Sequence, residues 1–461
     1  MKQDWNHKRV LIIGAARQGL ALARYLTHRG AHVVLNDRRS AVELQQARES
    51  LSALDIEWAL GHHAPGLLDG MDLVCLSGGV SADLPLVVEA RRRGLTISND
   101  SQIFMDLVPC PVTGITGSAG KTTTTTLVGR MAVAGTKAPQ KAWVGGNIGL
   151  PLIDQVEQIG PGDKVILELS SFQLELMHTS PQISAVLNIT PNHLDRHATL
   201  EAYTAAKARI LSYQARQDTA VLCRDDPGSW DLKSLVKGRL LTFGLNRPAA
   251  GTQGTFCEQG QLYLQYSGKL QALMPLESVR LRGTHNLQNV LAACAIAAAL
   301  EIDCESMRAS VETFNGVPHR LEFVREWKNS KWYNDSIATA PERSAAALHS
   351  FSEPVILLLG GRDKNLPWES LAALAHQRVK QVVVFGESAG KILNALGSTH
   401  PGETLLGIHR CGKLEEAVQT AASLVEGGEV VLLSPGGTSF DEFNDFEERG
   451  ERYRLWVNNL S

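Results

Sequence analysis

At 461 residues the chain is longer than one hydrophobic core supports, so about three domains are expected. Its 44% hydrophobic and 20% charged residues form a globular balance, and a formal net charge of −3 excludes the broad basic field that nucleic-acid binding needs. No apolar run approaches bilayer length, and the start MKQDWNHKRVLIIG lacks a signal-peptide core. The seven cysteines are scattered without a CxxC pair, which argues against a zinc or disulfide framework. A cytoplasmic protein without a membrane segment is expected.

In chain order, RVLIIG, AARQGLALARYLTHRG and AHVVLND read as strand, helix and strand, and MDLVCLSGG, LPLVVEARRRG and LTISND repeat the pattern. This alternation predicts a parallel, doubly wound sheet. After LVPCPV a second series begins, with VTGITG as a strand, a glycine turn, and TTTTLVGRMAVAG as a helix. KVILELSS, ISAVLNIT and TAVLCRDD read as further buried strands, and the polar, glycine-containing run 244–269 as hairpins. The helix NLQNVLAACAIAAALEI closes this region, and a third αβ series runs from GVPHRLEF through EPVILLLGG and QVVVFGES to GEVVLLSPGG. The expected class is therefore α/β with three domains. These are a Rossmann-like parallel sheet over 1–108, a central P-loop ATPase-like domain over 109–316, and a Rossmann-like C-terminal domain over 317–461.

Chemistry concentrates in GITGSAGKTTTTTL. The strict G-x-x-x-x-G-K-[ST] pattern fails at Ile115, yet Gly117, Ser118, Ala119, Gly120, Lys121 and Thr122 still lie between a strand and a helix. Glycines let backbone N–H groups close on phosphate oxygens, the helix N-terminus adds partial positive charge, Lys121 reaches the terminal phosphates, and Thr122 offers a hydroxyl to Mg²⁺. Thr123 begins a threonine run assigned to packing and first-turn contacts. Glu168 ends the apolar strand of LELSS, where a carboxylate is costly unless paired or metal-bound. NITPNHLDRH ends the next strand and places His193 at the same rim. In the first domain, Gly14 to Gly19 resembles a dinucleotide fingerprint whose middle glycine is Ala16, with Asp37 ending the second strand.

The motifs TGSAGKTT, GGNIGLP, LELSSFQLE, NHLDRH, YTAAKARI, GTHNLQNVLAA, GVPHRLE, NDSIATAPE, LLLGGRDK and LLSPGGTSFDEFNDFEERG span almost the whole chain. Their order and spacing resemble the Mur ligase family, and within it the members that add D-glutamate. The resemblance implies an ATP-dependent amide ligase that joins D-glutamate to UDP-N-acetylmuramoyl-L-alanine through an acyl phosphate, in peptidoglycan precursor synthesis. It implies that Lys121 and its loop, with Thr123, Asn286, Asn289, Arg320 and Asp335, hold ATP. Thr122 and Glu168 hold one Mg²⁺, and His193 and Lys207 a second, with Lys207 carbamylated by CO₂. Asn147 meets substrate and metal-bound water. The first domain binds UDP rather than a redox cofactor, through Gly14, Arg17, Asp37, Arg38 and Ser77. Thr339, Lys364, Ser439 and Phe446 receive glutamate.

Two departures stand out: better-known members have lysine and asparagine where this chain has Ile337 and Ala340, and SPGGTS replaces SPACAS. A related ligase adding another amino acid, such as L-glutamate, therefore stays open. A folylpolyglutamate-synthase-like ligase is disfavoured by the full domain before the loop, and a P-loop regulatory NTPase leaves most motifs unexplained. Partners are expected to be small molecules alone, acting on a monomer. Without the resemblance, Lys207 would read as a surface helical lysine.

Overall fold

The computed structural model describes residues 4–191, 197, 199–399 and 402–461. Strands β1 (Arg9–Ile13), β2 (His32–Asp37), β3 (Ile56–Leu60), β4 (Leu73–Leu76) and β5 (Thr96–Asn99) form a parallel sheet in the order β3-β2-β1-β4-β5. Strand order reverses at β1, which opens a crevice beyond its carboxyl end, where Gly14 turns the chain. Gly14 takes φ +101°, a left-handed conformation that suits glycine, and Gly19 packs so closely on the Gly14 carbonyl that a Cβ would collide. The fingerprint glycines thus serve a tight strand–helix turn even without the middle one.

The second sheet joins β6 (Val112–Thr116), β7 (Ala142–Gly146), β8 (Lys164–Glu168), β9 (Ile183–Val186), β10 (Thr219–Cys223), β11 (Arg239–Phe243), β12 (Gln253–Glu258), β13 (Gln261–Tyr266) and β14 (Lys269–Pro275). Their order is β14-β13-β12-β11-β10-β9-β6-β8-β7. Pairing is parallel from β7 to β12 and antiparallel across β12, β13 and β14, so the expected hairpins form the sheet's edge while β12 itself enters parallel to β11.

The third sheet joins β15 (Glu322–Trp327), β16 (Ser330–Asn334), β17 (Val355–Gly360), β18 (Val379–Phe385), β19 (Gly407–Arg410) and β20 (Val430–Gly436) in the order β15-β16-β20-β17-β18-β19. Only β15 runs antiparallel. The apolar cores of β17 and β20 are buried throughout, as strands covered on both faces require. The protein is thus an α/β chain with three sheets. Among the described residues no helix is long and apolar enough to cross a membrane.

These sheets lie in two compact units, Met1–Arg280 with Thr284–Phe314, and Leu281–Gly283 with Asn315–Ser461. The first two sheets share one unit because a single apolar cluster runs through Trp5, Leu22, Leu26, Leu152, Ile153, Val156 and Val165. A polar seam fixes their register. Asn99 caps the helix Asp100–Leu107 and donates to the Gln173 carbonyl at 2.8 Å, while Gln173 donates to Ser101 Oγ at 2.8 Å. Gln173 also closes a capping box with Ser170 just after β8, so the seam holds the end of the strand that carries Glu168.

Asp100 is buried in this seam, and its Oδ1 has no hydrogen-bond partner among the described residues. Burial pushes its carboxyl up to about 6, against the backbone and Gln173 hydrogen bonds that favour the charge. The folded state therefore holds a proton that the unfolded chain gives up above its ordinary value of 3.8. That stability is present below about pH 4 and is lost as pH rises to about 6, a cost of about 3 kcal/mol. Asp100→Asn is expected to raise the apparent melting temperature by several degrees at pH 8 and to change it little at pH 4. Equal shifts at both values, read by differential scanning calorimetry, would contradict this account.

Candidate active site

The phosphate loop follows β6 and caps the helix Lys121–Gly135. Gly120 is the N-cap at φ +80°, and a Cβ there would strike Asn289 Oδ1. Asn289 lies on the helix Thr284–Ala299 and donates to Asn286 Oδ1 at 3.1 Å, so the two predicted asparagines meet and Asn289 reaches the loop's flank. Thr124 Oγ1 lies 3.5 Å from Asn289 Oδ1, and Thr123 is buried in the same turn. The other side of the loop is tied to the chain after β9. Ser118 N–H donates to the Asn188 carbonyl at 3.0 Å, Ala119 N–H to Asn188 Oδ1 at 2.8 Å, and Ser118 Oγ accepts from Thr190 N–H at 3.0 Å. Lys121 Nζ folds back onto the carbonyls of Gly117 at 2.8 Å and Ser118 at 3.2 Å. Thr122 follows in the first helical turn, partly exposed.

Glu168 ends β8 with 2% of its surface exposed. Its Oε1 accepts from Asn147 Nδ2 at 3.0 Å, while its Oε2 has no hydrogen-bond partner among the described residues. A buried carboxylate oxygen left unpaired costs about 1–3 kcal/mol or more, and a cation is the usual remedy. Asn147 is fixed from its backbone as well, its N–H donating to the Glu168 carbonyl at 2.9 Å.

Lys207 is 1% exposed, on the helix Leu200–Ser212 that Thr199 caps, so it is a core residue rather than a surface lysine. Its Nζ donates to the Gly117 carbonyl at 2.9 Å and to Thr116 Oγ1 at 3.3 Å, and lies 4.6 Å from the Tyr203 ring centre. Two lysines thus converge on one loop carbonyl. Burial first, then Lys121, hold the Lys207 amine well below its ordinary value, with Glu168 opposing. His193 lies outside the described residues. His197 is buried, with Nε2 2.9 Å from Ser171 Oγ and its ring stacked on Phe172. Among the described residues no three His, Cys, Asp or Glu side chains converge.

At the β1 turn, Asp37 is buried and engaged by its own neighbours. It accepts from Ala15 N–H at 2.8 Å and from Arg39 at 3.0 and 2.8 Å. Burial alone would raise this carboxyl, but the Arg39 and backbone hydrogen bonds outweigh it and hold it at about 2. Arg39, which reads from sequence as a solvated charge, is therefore the partner of the fingerprint acid, while Arg17 and Arg38 are exposed. Ser77 is buried against Gly14, with its N–H on the Ile13 carbonyl. Gln18 went unread in the sequence. It accepts from Gly78 N–H at 3.2 Å and donates to the Gly146 carbonyl at 3.2 Å, so it bridges the Ser77 loop and the Asn147 loop.

In the second unit, Asp335 follows β16 and is buried, accepting from Ser434 Oγ at 2.8 Å and Leu321 N–H at 3.1 Å. Burial pushes its carboxyl up to about 7 against those hydrogen bonds and Arg320, which is exposed. Lys364 Nζ donates to Thr339 Oγ1 at 3.3 Å, so these two predicted residues meet. Ser439 is buried beyond β20, and Phe446 opens the helix Phe446–Asn458 with its ring 6.2 Å from that of His319. Ile337 and Ala340 flank Thr339, Ala340 preceding a helix without any side-chain cap.

A phosphate loop, a buried acid beside it and a buried lysine beneath it define a nucleotide-dependent enzyme. Three family models match the chain in succession: Mur ligase MurD-like, N-terminal domain over 8–99, Mur ligase middle domain over 115–297, and Mur ligase, glutamate ligase domain over 319–437. The chain belongs to the Mur ligase family. It is 40% identical over 457 residues to the UDP-N-acetylmuramoylalanine–D-glutamate ligase of Symbiobacterium thermophilum, covering 98% of each chain. It is 38% identical over 459 residues to the ligase of the same name from Caldanaerobacter subterraneus subsp. tengcongensis, covering 99% of each. Among solved structures, the UDP-N-acetylmuramate–alanine ligase of Thermotoga maritima shares the fold at a TM-score of 0.55 and 21% identity, over 98% of this chain and 99% of that one.

Proposed function

We infer that this chain is an ATP-dependent ligase that joins D-glutamate to UDP-N-acetylmuramoyl-L-alanine, forming ADP and phosphate in peptidoglycan precursor synthesis. The observation that carries the chemistry is the convergence of Lys121 and Lys207 on the Gly117 carbonyl, beside a Glu168 oxygen with no hydrogen-bond partner among the described residues. The assignment of D-glutamate rests on the relatives named for it, over nearly full length.

The phosphate loop and Lys121 hold ATP, with Asn286 and Asn289 at its base. Gly14, Arg17, Asp37, Arg38 and Ser77 hold the UDP end of the substrate, and Asn147 its amide-forming end. Thr122 and Glu168 would hold Mg²⁺, with His193 and Lys207 at a second site. The ion, when bound, offsets charge on the phosphates. The orphaned Glu168 oxygen fits such an ion.

Lys207 fits carbamylation for a related reason. Burial disfavours the charged form of the amine, and the neutral amine is the nucleophile toward CO₂; its addition forms the N–C bond, releases one proton and leaves an anion near Lys121, which approaches the same carbonyl. The substrate carboxylate then attacks the γ-phosphorus, ADP departs, and the glutamate amine displaces phosphate from the acyl phosphate. Lys121 positions the phosphoryl group and stabilises its charge. Thr339, Lys364, Ser439 and Phe446 hold glutamate, a lysine with polar donors suiting a dicarboxylate.

Phosphate release from ATP is expected to require both UDP-N-acetylmuramoyl-L-alanine and D-glutamate, with L-glutamate roughly 100-fold poorer in kcat/KM. Release that proceeds without any amino acid would overturn the ligase reading. A preference for L-glutamate would overturn the stereochemistry alone.

A further inference from the structure

We propose that Arg449 is the positioning residue of the amino-acid subsite, a buried cation that holds the loops carrying Thr339, Lys364 and Ser439 in register. The proposal rests on the reading of those residues as the glutamate-holding set.

Arg449 lies one turn into the helix Phe446–Asn458, which Asp445 caps by accepting from Glu448 N–H at 2.7 Å. It is 0% exposed. Its Nε donates to Ser336 Oγ at 3.0 Å, its Nη2 to the Ser336 carbonyl at 2.8 Å, and its Nη1 to the Gly437 carbonyl at 3.1 Å. A Cβ on Gly361 would lie 2.9 Å from the same Nη1. One guanidinium therefore touches the chain just beyond β16, β17 and β20. Thr339 belongs to the first of these loops, Lys364 to the second and Ser439 to the third. The second and third loops are also laced together, since Arg362 and Thr438 exchange backbone hydrogen bonds at 2.8 Å in each direction. Ser336 Oγ closes the circuit by donating to the Phe446 carbonyl at 2.7 Å.

The charge itself needs a reason. All three hydrogen bonds of Arg449 go to neutral oxygens, and among the described residues it forms no ion pair. Asp441 and Glu442 act on it only from farther away. Buried charge without a partner is expensive, and a helix that merely needed packing would be served better by an apolar side chain of similar volume. Beneath loops that receive two carboxylates, however, the cation stabilises the bound anion while its planar fork fixes the loop spacing.

The test uses the full chain and steady-state kinetics with each substrate varied in turn. R449K keeps the charge and loses the fork. S336A keeps the guanidinium and removes the hydroxyl shared with Phe446. Both are expected to raise KM for D-glutamate at least about 10-fold, while KM for ATP and for the UDP-substrate stays within about twofold of wild type. An unchanged D-glutamate KM in both folded variants would overturn the proposal. So would a parallel weakening of all three substrates, or failure of both variants to fold, since either assigns Arg449 to stability alone. Wild-type enzyme that needs no D-glutamate would instead fail the underlying function.

Discussion

Lys207→Ala is expected to lower kcat by at least about 10³-fold, the scale on which losing an essential charge-stabilising group at a phosphoryl-transfer site is felt. The side chain is buried at the loop carbonyl, so its truncation leaves a space there that carries no charged group. Its loss removes both the amine proposed to take up CO₂ and the contact of that amine with the Tyr203 ring. Bicarbonate is expected not to restore the variant, because no amine remains to be carbamylated. A short carboxylic acid small enough for the vacated space is expected to restore part of the rate. The check is phosphate release at saturating substrates, with and without added acetate or formate. Near-wild-type activity would remove the carbamate from the mechanism, and rescue by bicarbonate would point to a different anion site.

Glu168→Gln separates function from stability because the two effects have opposite signs. The substitution is expected to lower kcat/KM for ATP by about 10²- to 10³-fold through loss of the carboxylate that faces the phosphate loop. In metal-free buffer the same variant is expected to be more stable by about 1 kcal/mol, because an amide is cheaper to bury than a carboxylate with an unpaired oxygen. Thermal melts report both halves. Wild type is expected to gain several degrees on adding Mg²⁺ and ATP, and the variant much less. Equal gains would take Glu168 out of the metal site.

Several candidate site residues were legible because their signal is local. The loop from Gly117 to Thr122 sits between an apolar strand and a helix, and Glu168 ends an apolar run, so position and chemistry are both written within a few residues. Lys207 was legible in part. Tyr203, Ala206, Lys207, Ile210 and Leu211 form one buried helical stripe, which places the lysine in the core, yet a lone lysine in a helix reads by default as solvated. Arg39 shows the limit of reading charges one at a time, since only its bidentate grip on Asp37 distinguishes it from the exposed Arg38. Arg449 lay within a matched motif but carried no signal of its burial. It stands in EERGERYR, a run that looks like a solvated face, and it is buried only because the ends of three strands close over it.

Alternating apolar strands and helices, glycine at the turns and a phosphate loop in their midst set the α/β class and the nucleotide chemistry from sequence alone. These follow from period, burial and backbone geometry acting over a few residues. The merging of the first two sheets into one unit was decided at a distance, where Leu152, Ile153 and Val156 join a core with Trp5 and Leu26 and where Asn99 meets Gln173. So was the pairing of Lys207 with Lys121 at one carbonyl, and the gathering of three loops on Arg449. Such contacts join residues far apart in the chain, and their energies depend on burial that no local pattern specifies.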